Sequence, residues 1–384
     1  MTPGSVVFVH GSDEAYGADR VLLDQMAGLA ARGWAVHLVL PDDTPEGWLT
    51  RSATEAGIGI ERLPLAIARR RYLRPAGIPA YVVALLRSRR ALRSLVERGR
   101  PAIVHLNTSG VLVGAILGRP AGIRLVWHVH EIVVRPRLLS LLFRAVPPLA
   151  ADRVVAVSDA VRAHLAGGRG ARRTVTIRNG VPARAPAPLP ELADPAGRPL
   201  VAFVGRLNRW KGYELFVDAI ARVARAAPDA RFVVAGDPPP GEEWRTADLA
   251  DRIGRAGLSG RVRVLGFVPD GAAVFDASEI AVVPSTWPDP LPTVILEAMR
   301  AGCAVIAADH GGAPEMIDVA AGTGILVPPG DAAALAREIL RLLGDPEGRA
   351  RMGAAARRRV VEAFATERMI DDLEALYRDL LDSR

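Results

Sequence analysis

Val6-Val7-Phe8-Val9, the glycine-bearing loop 10–17, an amphipathic stretch over 19–32 and a second apolar run over 35–40 together decide the fold class. Four consecutive apolar residues suit a strand covered on both faces. Apolar positions then recur at helical spacing until Gly33, a residue that ends helices. Strand, loop, helix and parallel strand within about 35 residues make a βαβ unit.

Working outward, further apolar runs lie at 103–106, 125–129, 154–157 and 175–177, with helical stretches between most of them. That alternation predicts a doubly wound parallel sheet. It breaks at 182–199, where Pro182, Pro186, Pro188, Pro190 and Pro195 interrupt any periodicity. A second series starts at 200–204 and continues through 232–235, 262–265, 280–283 and 304–307. The expectation is an α/β chain of two Rossmann-like domains, 1–185 and 200–365, joined by a proline-rich linker, 186–199, and facing each other across a cleft. Ligands of such sheets sit outside the carboxyl ends of the strands. A last helix in 366–384 carries the stripe Met369, Leu373, Leu376, Tyr377 and Leu380. Such a stripe packs on something, and the first domain is one option.

Composition narrows the function classes. Half of the 384 residues are apolar and 24% are charged, the balance of a globular enzyme. No apolar run is long enough to span a bilayer, and Met1-Thr2-Pro3-Gly4 lacks a secretory n-region, so a cytoplasmic location is expected. The single Cys303 excludes an internal disulfide framework and a cysteine-rich zinc site. Charge is uneven: residues 1–185 hold 26 arginines and 13 acids, while the remainder is net negative. Between 69 and 100 there are ten arginines and one acid, Glu97, interleaved with Tyr72, Leu73, Ile78, Tyr81, Val82, Leu85 and Leu86. An arginine-rich, part-apolar helix suits an anionic membrane surface, and a plain solvated helix is the alternative. Aromatics are scarce and no nucleic-acid-reading motif is present, so nucleic acid is not expected as a partner.

Lys211 is the only lysine in the chain. It stands in Phe203-Val204-Gly205-Arg206-Leu207-Asn208-Arg209-Trp210-Lys211-Gly212, a strand followed by a loop that offers two cations to one diphosphate. Downstream, Pro284-Ser285-Thr286-Trp287-Pro288-Asp289-Pro290-Leu291-Pro292-Thr293-Val294-Ile295-Leu296-Glu297 reads as a strand end, a proline-rich loop and a helix with Pro292 at its first position. Unbonded N–H groups at that helix start would seat a phosphate, and carboxylates beside it would grip hydroxyls.

Here the sequence resembles the retaining glycosyltransferases of family 4, which have the GT-B fold. Asp289 and Glu297, with seven residues between them, are similar to that family's paired carboxylates. The resemblance implies that Asp289 contacts the donor sugar and Glu297 the ribose. Arg206 and Lys211 match the phosphate-binding pair. Pro292 stands where the family often has glycine and has no N–H, which leaves Leu291, Thr293 and Val294 to meet the phosphate. Phe267 and Val268 resemble the nucleobase-contacting segment. Asp309-His310-Gly311-Gly312-Ala313-Pro314-Glu315 resembles a Gly-Gly-x-Pro-Glu loop near the donor, with His310 incidental. In the first half, Tyr16-Gly17-Ala18-Asp19 resembles a Gly-Gly-x-Glu segment, and Gly17 would let the donor lie against the helix start. His130-Glu131 is similar to the family's His-Asp, which makes His130 the functional histidine, and alternation puts His128 on its face. Asn179-Gly180-Val181-Pro182 matches a segment before the linker.

The resemblance implies a hexosyltransferase that takes a UDP- or GDP-sugar as donor and a glycan, lipid-linked or small-molecule acceptor. A front-side displacement is implied, with catalysis resting on His130, Arg206, Lys211 and Asp289. No cofactor is expected, and the absence of an Asp-x-Asp motif predicts no metal. A nucleotide-sugar epimerase of the same fold and a non-catalytic nucleotide or polyanion binder are the alternatives.

Overall fold

The computed structural model describes residues 4–68, 77–118, 122–165 and 172–383. The chain forms two units, one of Met1–Pro182 with Thr366–Arg384 and one of Ala183–Ala365.

In the first unit the strands are β1 (Ser5–Val9), β2 (Ala35–Pro41), β3 (Gly59–Leu63), β4 (Ile103–Leu106), β5 (Arg124–Val129), β6 (Arg153–Ala156) and β7 (Thr174–Thr176). They form one parallel sheet in the order β3-β2-β1-β4-β5-β6-β7. Val6 pairs with Val36 on one side and Ile103 on the other, so β1 is fully internal and its apolar run is accounted for. The helix after β1 is Gly17–Ala31, two residues earlier at its start than the apolar spacing suggested. Strand β3, Gly-Ile-Glu-Arg-Leu, was not legible because it is an edge strand with charges in it.

The last helix, Thr366–Asp382, lies in this unit and buries Met369, Leu373, Leu376, Tyr377 and Leu380. It packs on Gly17–Ala31 so closely that a Cβ built on Gly28 would come within 2.1 Å of Ile370 Cδ1. Burial of each large apolar side chain stabilises that docking by roughly 1.5–3 kcal/mol. Polar ties add direction. Trp34 Nε1 donates to Glu374 Oε1 at 3.1 Å, and Arg32 Nη1 to Glu374 Oε2 at 2.9 Å.

In the second unit β8 (Leu200–Val204), β9 (Arg231–Ala235), β10 (Val262–Gly266), β11 (Ile280–Val283), β12 (Ala304–Ala308) and β13 (Ile325–Val327) form a parallel sheet. Their order is β10-β9-β8-β11-β12-β13. Strand β13, Ile325-Leu326-Val327, was not read from the sequence. The proline-rich segment is laid down on this unit: Leu192 is buried, its carbonyl accepts from Arg231 Nη2 at 2.6 Å, and Arg184 pairs with Asp270 and Asp276.

Both sheets reverse their strand order once, at β1/β4 and at β8/β11. Loops leaving the carboxyl ends of those strands are where such sheets bind ligands.

Candidate functional site

Three loops meet at the carboxyl ends of β8, β11 and β12 in the second unit. The loop after β8 is shaped by Asn208, which is buried and whose Oδ1 accepts from Lys211 N at 3.0 Å. Gly212 follows at φ +80, and a Cβ there would lie 2.2 Å from Pro284 O. Only glycine allows the loops after β8 and β11 to approach so closely. Thr286 ties them again, its N donating to Trp210 O at 2.8 Å and its Oγ1 to Arg209 O at 2.9 Å.

Lys211 Nζ donates to Asp289 Oδ2 at 2.6 Å and also lies 4.4 Å from the centre of the Trp210 ring. The sequence reading gave these two charges to different parts of a ligand; in the structure they hold each other. Asp289 is buried, so its carboxylate is stable there because the ammonium is present. Its backbone is fixed from the third loop, where Gly312 N donates to Asp289 O at 2.9 Å. A Cβ on Gly311, at φ +60, would come within 2.2 Å of the same oxygen, and one on Gly312 within 2.2 Å of Pro290 O. The glycine pair therefore buttresses the Asp289 loop.

Pro292 is the N-cap of helix Thr293–Ala301, not its first residue as expected, and offers no side-chain cap. Ile295 N turns back to Pro292 O at 2.9 Å, which leaves the N–H groups of Thr293 and Val294 as first-turn donors. Leu291 is buried beside them, and Glu297 lies one turn into the helix. Arg206 opens the loop after β8, and Leu207 N anchors it to Asp237 O at 2.9 Å. Phe267, after the edge strand β10, is 43% exposed, so it is not a core side chain, and Val268 follows it half-buried. Both ring nitrogens of His310 are enclosed without a hydrogen-bond partner among the described residues.

The first unit carries a different cluster at its switch point. Gly17 begins the helix behind an extended Tyr16, but Asp19 does not cap that helix. Asp19 is buried, and its Oδ1 lies 3.2 Å from His10 Nε2 while accepting from Ser12 Oγ at 3.0 Å and Glu14 N at 3.2 Å. Asn107 bridges His10 and His130: Nδ2 is 3.2 Å from His10 Nδ1, and Oδ1 is 3.1 Å from His130 Nε2. Glu131 turns away from the His130 ring and accepts from Thr108 Oγ1 at 2.5 Å, Ser109 N at 3.1 Å and His130 N at 3.2 Å. His128 does share the face of His130, with ring centres 4.2 Å apart. His105 stands 5.3 Å beyond and bonds Tyr377 OH through Nδ1 at 2.6 Å. Burial, with the neighbouring imidazoles, pushes His105 and His130 down to about 3 and His128 well below its ordinary value. These imidazoles are neutral at physiological pH.

His10, Asn107 and Asn208 were missed by the sequence reading. The available signal was positional, since each follows a strand at its carboxyl end. Asn179 is buried, and Gly180 N meets Met369 Sδ at 3.4 Å, which places that segment against the last helix.

Two doubly wound parallel sheets in tandem are the architecture of the GT-B class. The family described as Glycosyltransferase Family 4 matches residues 15–184, and that described as Glycosyl transferases group 1 matches 189–359. The chain belongs to this family of glycosyltransferases. It is 35% identical over 185 residues to alpha-D-kanosaminyltransferase of Streptomyces kanamyceticus, covering 48% of this chain and 46% of that protein. It is 33% identical to alpha-maltose-1-phosphate synthase of Mycolicibacterium smegmatis, covering 60% of this chain and 63% of that one. The chain thus spans about half the length of the curated relatives it matches. Among solved structures, Anabaena HepE in complex with UDP aligns over 98% of this chain and 100% of its own, with TM-score 0.78 and 24% identity.

Proposed function

We propose that the protein moves a hexose-type sugar from a UDP- or GDP-sugar to a glycan, lipid-linked or small-molecule acceptor, with retention at the anomeric carbon. The observation that carries this is the convergence of Lys211, Asp289 and the open start of helix Thr293–Ala301 at one switch point. Ammonium, guanidinium and helix N–H groups are what a leaving diphosphate needs as negative charge develops on it. Arg206, Lys211 and the N–H groups of Thr293 and Val294 take the diphosphate, with Leu291 beside them. Glu297 takes the ribose, Phe267 and Val268 the base, and Asp289 the sugar. With three sources of positive charge in the protein itself, we assign no metal to the reaction.

A covalent route would need a carboxylate against the anomeric carbon. Asp289 is held by Lys211 instead, which favours front-side displacement. The bond from the anomeric carbon to the diphosphate oxygen breaks, the acceptor oxygen bonds on the same face, and its proton passes to the departing diphosphate. His130 steadies the sugar, and Gly17 lets it approach the helix start. In the relatives' favour, HepE was solved with UDP-glucose as well as UDP. A thermal-shift panel of UDP- and GDP-sugars tests the reading, because a ligand of the folded state raises its apparent stability. One class of donor should shift the melt, and Lys211→Ala and Glu297→Ala should abolish transfer with the fold intact. Isomerised donor in the absence of acceptor would convert the reading to an epimerase.

We further infer that the first unit rests on an anionic membrane surface. Arg69, Arg70, Arg71, Tyr72 and Leu73 lie outside the described residues. In helix Ile78–Gly99 the inner face is Ser88, Leu92, Leu95 and Val96, which leaves Ile78, Val82, Val83 and Leu86 exposed among arginines. Helix Arg137–Ala150 packs on the same 3-10 turn, Leu112–Ile116, and exposes Leu138 at 81%, Leu149 at 71% and Leu141 at 60%. Exposed apolar side chains on segments interspersed with arginine, with no acid between Glu131 and Asp152, suit anionic lipid. No helix among the described residues is long and apolar enough to cross a membrane. Co-sedimentation with anionic but not neutral vesicles, weakened by salt and by Leu138→Ser with Leu141→Ser, is expected. Equal binding to both vesicle types ends the inference.

A further inference from the structure

We propose that Asp19, His10 and Asn107 are positioning residues that set the tautomer of His130, so that its Nδ1 is a hydrogen-bond acceptor for a sugar hydroxyl. An ionised carboxylate only accepts, so His10 Nε2, 3.2 Å from Asp19 Oδ1, carries the proton. The reverse tautomer would set a ring lone pair against the carboxylate. Ser12 Oγ, 2.9 Å from His10 Nε2 and 3.0 Å from Asp19 Oδ1, fits the same polarity by donating to the carboxylate and accepting from His10.

With its proton on Nε2, His10 turns the lone pair of Nδ1 to the Asn107 amide at 3.2 Å, the only group among the described residues that meets it. That group must be the NH₂, which fixes the orientation of the amide and turns its carbonyl toward His130. His130 Nε2, 3.1 Å from Asn107 Oδ1, then donates. Every proton in the series points toward Asp19, and the His130 ring is left with an unprotonated Nδ1.

Nothing among the described residues uses that Nδ1. The nearby carboxylate is already occupied, since Glu131 accepts from Thr108, Ser109 and the His130 backbone. His130 is only partly buried as a residue. Its ring stays neutral because of where it sits, so it offers an acceptor without a charge. Such an acceptor selects a neutral donor, and hydroxyls are what a saccharide supplies. This rests on the sugar-handling role given to His130 above, and it names three residues that make the role possible.

The test has one arm that needs no substrate. Imidazole ¹⁵N spectra of the histidine-labelled full chain report which ring nitrogen is protonated. In the wild type, His130 is expected as the Nε2–H tautomer. Asp19→Asn supplies a donor in place of an acceptor, so it should reverse the series and move His130 toward the Nδ1–H form. Asn107→Leu, which removes both links, should leave a mixture. An unchanged His130 spectrum in both folded variants, or an Nδ1–H form in the wild type, overturns the proposal.

The second arm is kinetic. Asp19→Asn should lower kcat/KM for the donor by about tenfold, the loss of one buried hydrogen bond, while nucleoside diphosphate affinity is unchanged. A monodeoxy donor lacking the contacted hydroxyl should be turned over equally by both proteins. If tautomers respond as stated but no deoxy donor removes the difference, the acceptor role fails while the transferase reading stands. Failure of nucleoside diphosphate to bind the wild type would instead remove the transferase reading, and with it the sugar hydroxyl, while the tautomer series would still stand or fall on the spectra.

Discussion

The two switch points of this molecule are built from opposite materials. In the second unit the loops after β8, β11 and β12 gather an ammonium, a carboxylate, a guanidinium and a helix start, tied together at Lys211 and Asp289. In the first unit the loops after β1, β4 and β5 gather two imidazoles and an amide, with His130 kept neutral by burial, ending on one buried carboxylate. The topology is the same, since both sheets reverse order at their first strand. The difference lies in what each can hold. Fixed charges recognise an anion, whereas neutral donors and acceptors recognise hydroxyls by direction and not by charge.

Removing charge from the second unit should have the largest effect. Lys211→Met is expected to lower turnover by about a hundredfold to a thousandfold, the usual loss when one group stabilising a developing negative charge is deleted. Lys211→Arg should not rescue it, because a planar guanidinium cannot replace a compact ammonium held between Asp289 and the Trp210 face. Steady-state kinetics beside a thermal melt checks both. Normal turnover in a folded Lys211→Met protein would break the contrast at its charged end.

Acid should act next, and mainly on the first unit. His105, His128 and His130 are held below their ordinary range in the folded protein and recover it on unfolding. Unfolding therefore takes up protons below about pH 6.5, so stability is present above that pH and is lost as pH falls toward 3. Asp24 works the other way: burial raises it to about 6, so the folded state gains a proton there and stability rises as pH falls through that value. Three imidazoles against one carboxyl leave an uptake of about two protons near pH 5.5, or roughly 2.7 kcal/mol lost per pH unit. His37 and His164, also held low by burial, add to it. Urea melts at pH 7.5, 6.5 and 5.5 measure the slope. A flat line would mean the imidazole cluster is not neutral, and the contrast would go with it.

These two ends were unequally legible in the sequence. A lone lysine, a glycine pair and two acids with seven residues between them are composition and spacing, which survive without coordinates. The neutral cluster depends on His10, Asn107 and His130 being adjacent, and they are spread over 120 residues and three strands of a sheet whose order is not consecutive. Only the strand-end position of each hinted at it. Apolar runs marked eleven of the strands, while β3, an edge strand with charges in it, and β13 were missed. The pairing of Lys211 with Asp289 was illegible too, because spacing along a chain does not say which opposite charges will meet.

Gly311 gives a third, smaller test, aimed at the scaffold of the charged site. Gly311→Ala puts a side chain at φ +60 and within 2.2 Å of Asp289 O. The left-handed backbone alone costs roughly 1–2 kcal/mol, and the contact must be relieved by moving the Asp289 loop. Turnover should fall well beyond what the loss of stability explains, with the neutral cluster untouched. Equal behaviour of Gly57→Ala, at φ +72 with open space around it, would show that strain alone is responsible.

The smallest expected effect separates the neutral cluster's structural end from its functional one. Tyr377 OH meets His105 Nδ1 at 2.6 Å on the inner side of the first sheet, while His130 lies at the strand end. Tyr377→Phe keeps the ring, and with it most of the burial that docks the last helix, but leaves His105 Nδ1 without its partner. His105 Nε2 already lacks one among the described residues, so the side chain loses its last hydrogen bond there. The cost should be about 1–2 kcal/mol, seen as a fall of a few degrees in Tm. Turnover should not change, because two aromatic contacts separate His105 from His130 and no hydrogen bond in the series from His130 to Asp19 passes through it. A kinetic loss equal to that of Asp19→Asn would mean that the imidazoles act as one coupled stack, so the ordering of His130 would depend on the last helix as much as on Asp19.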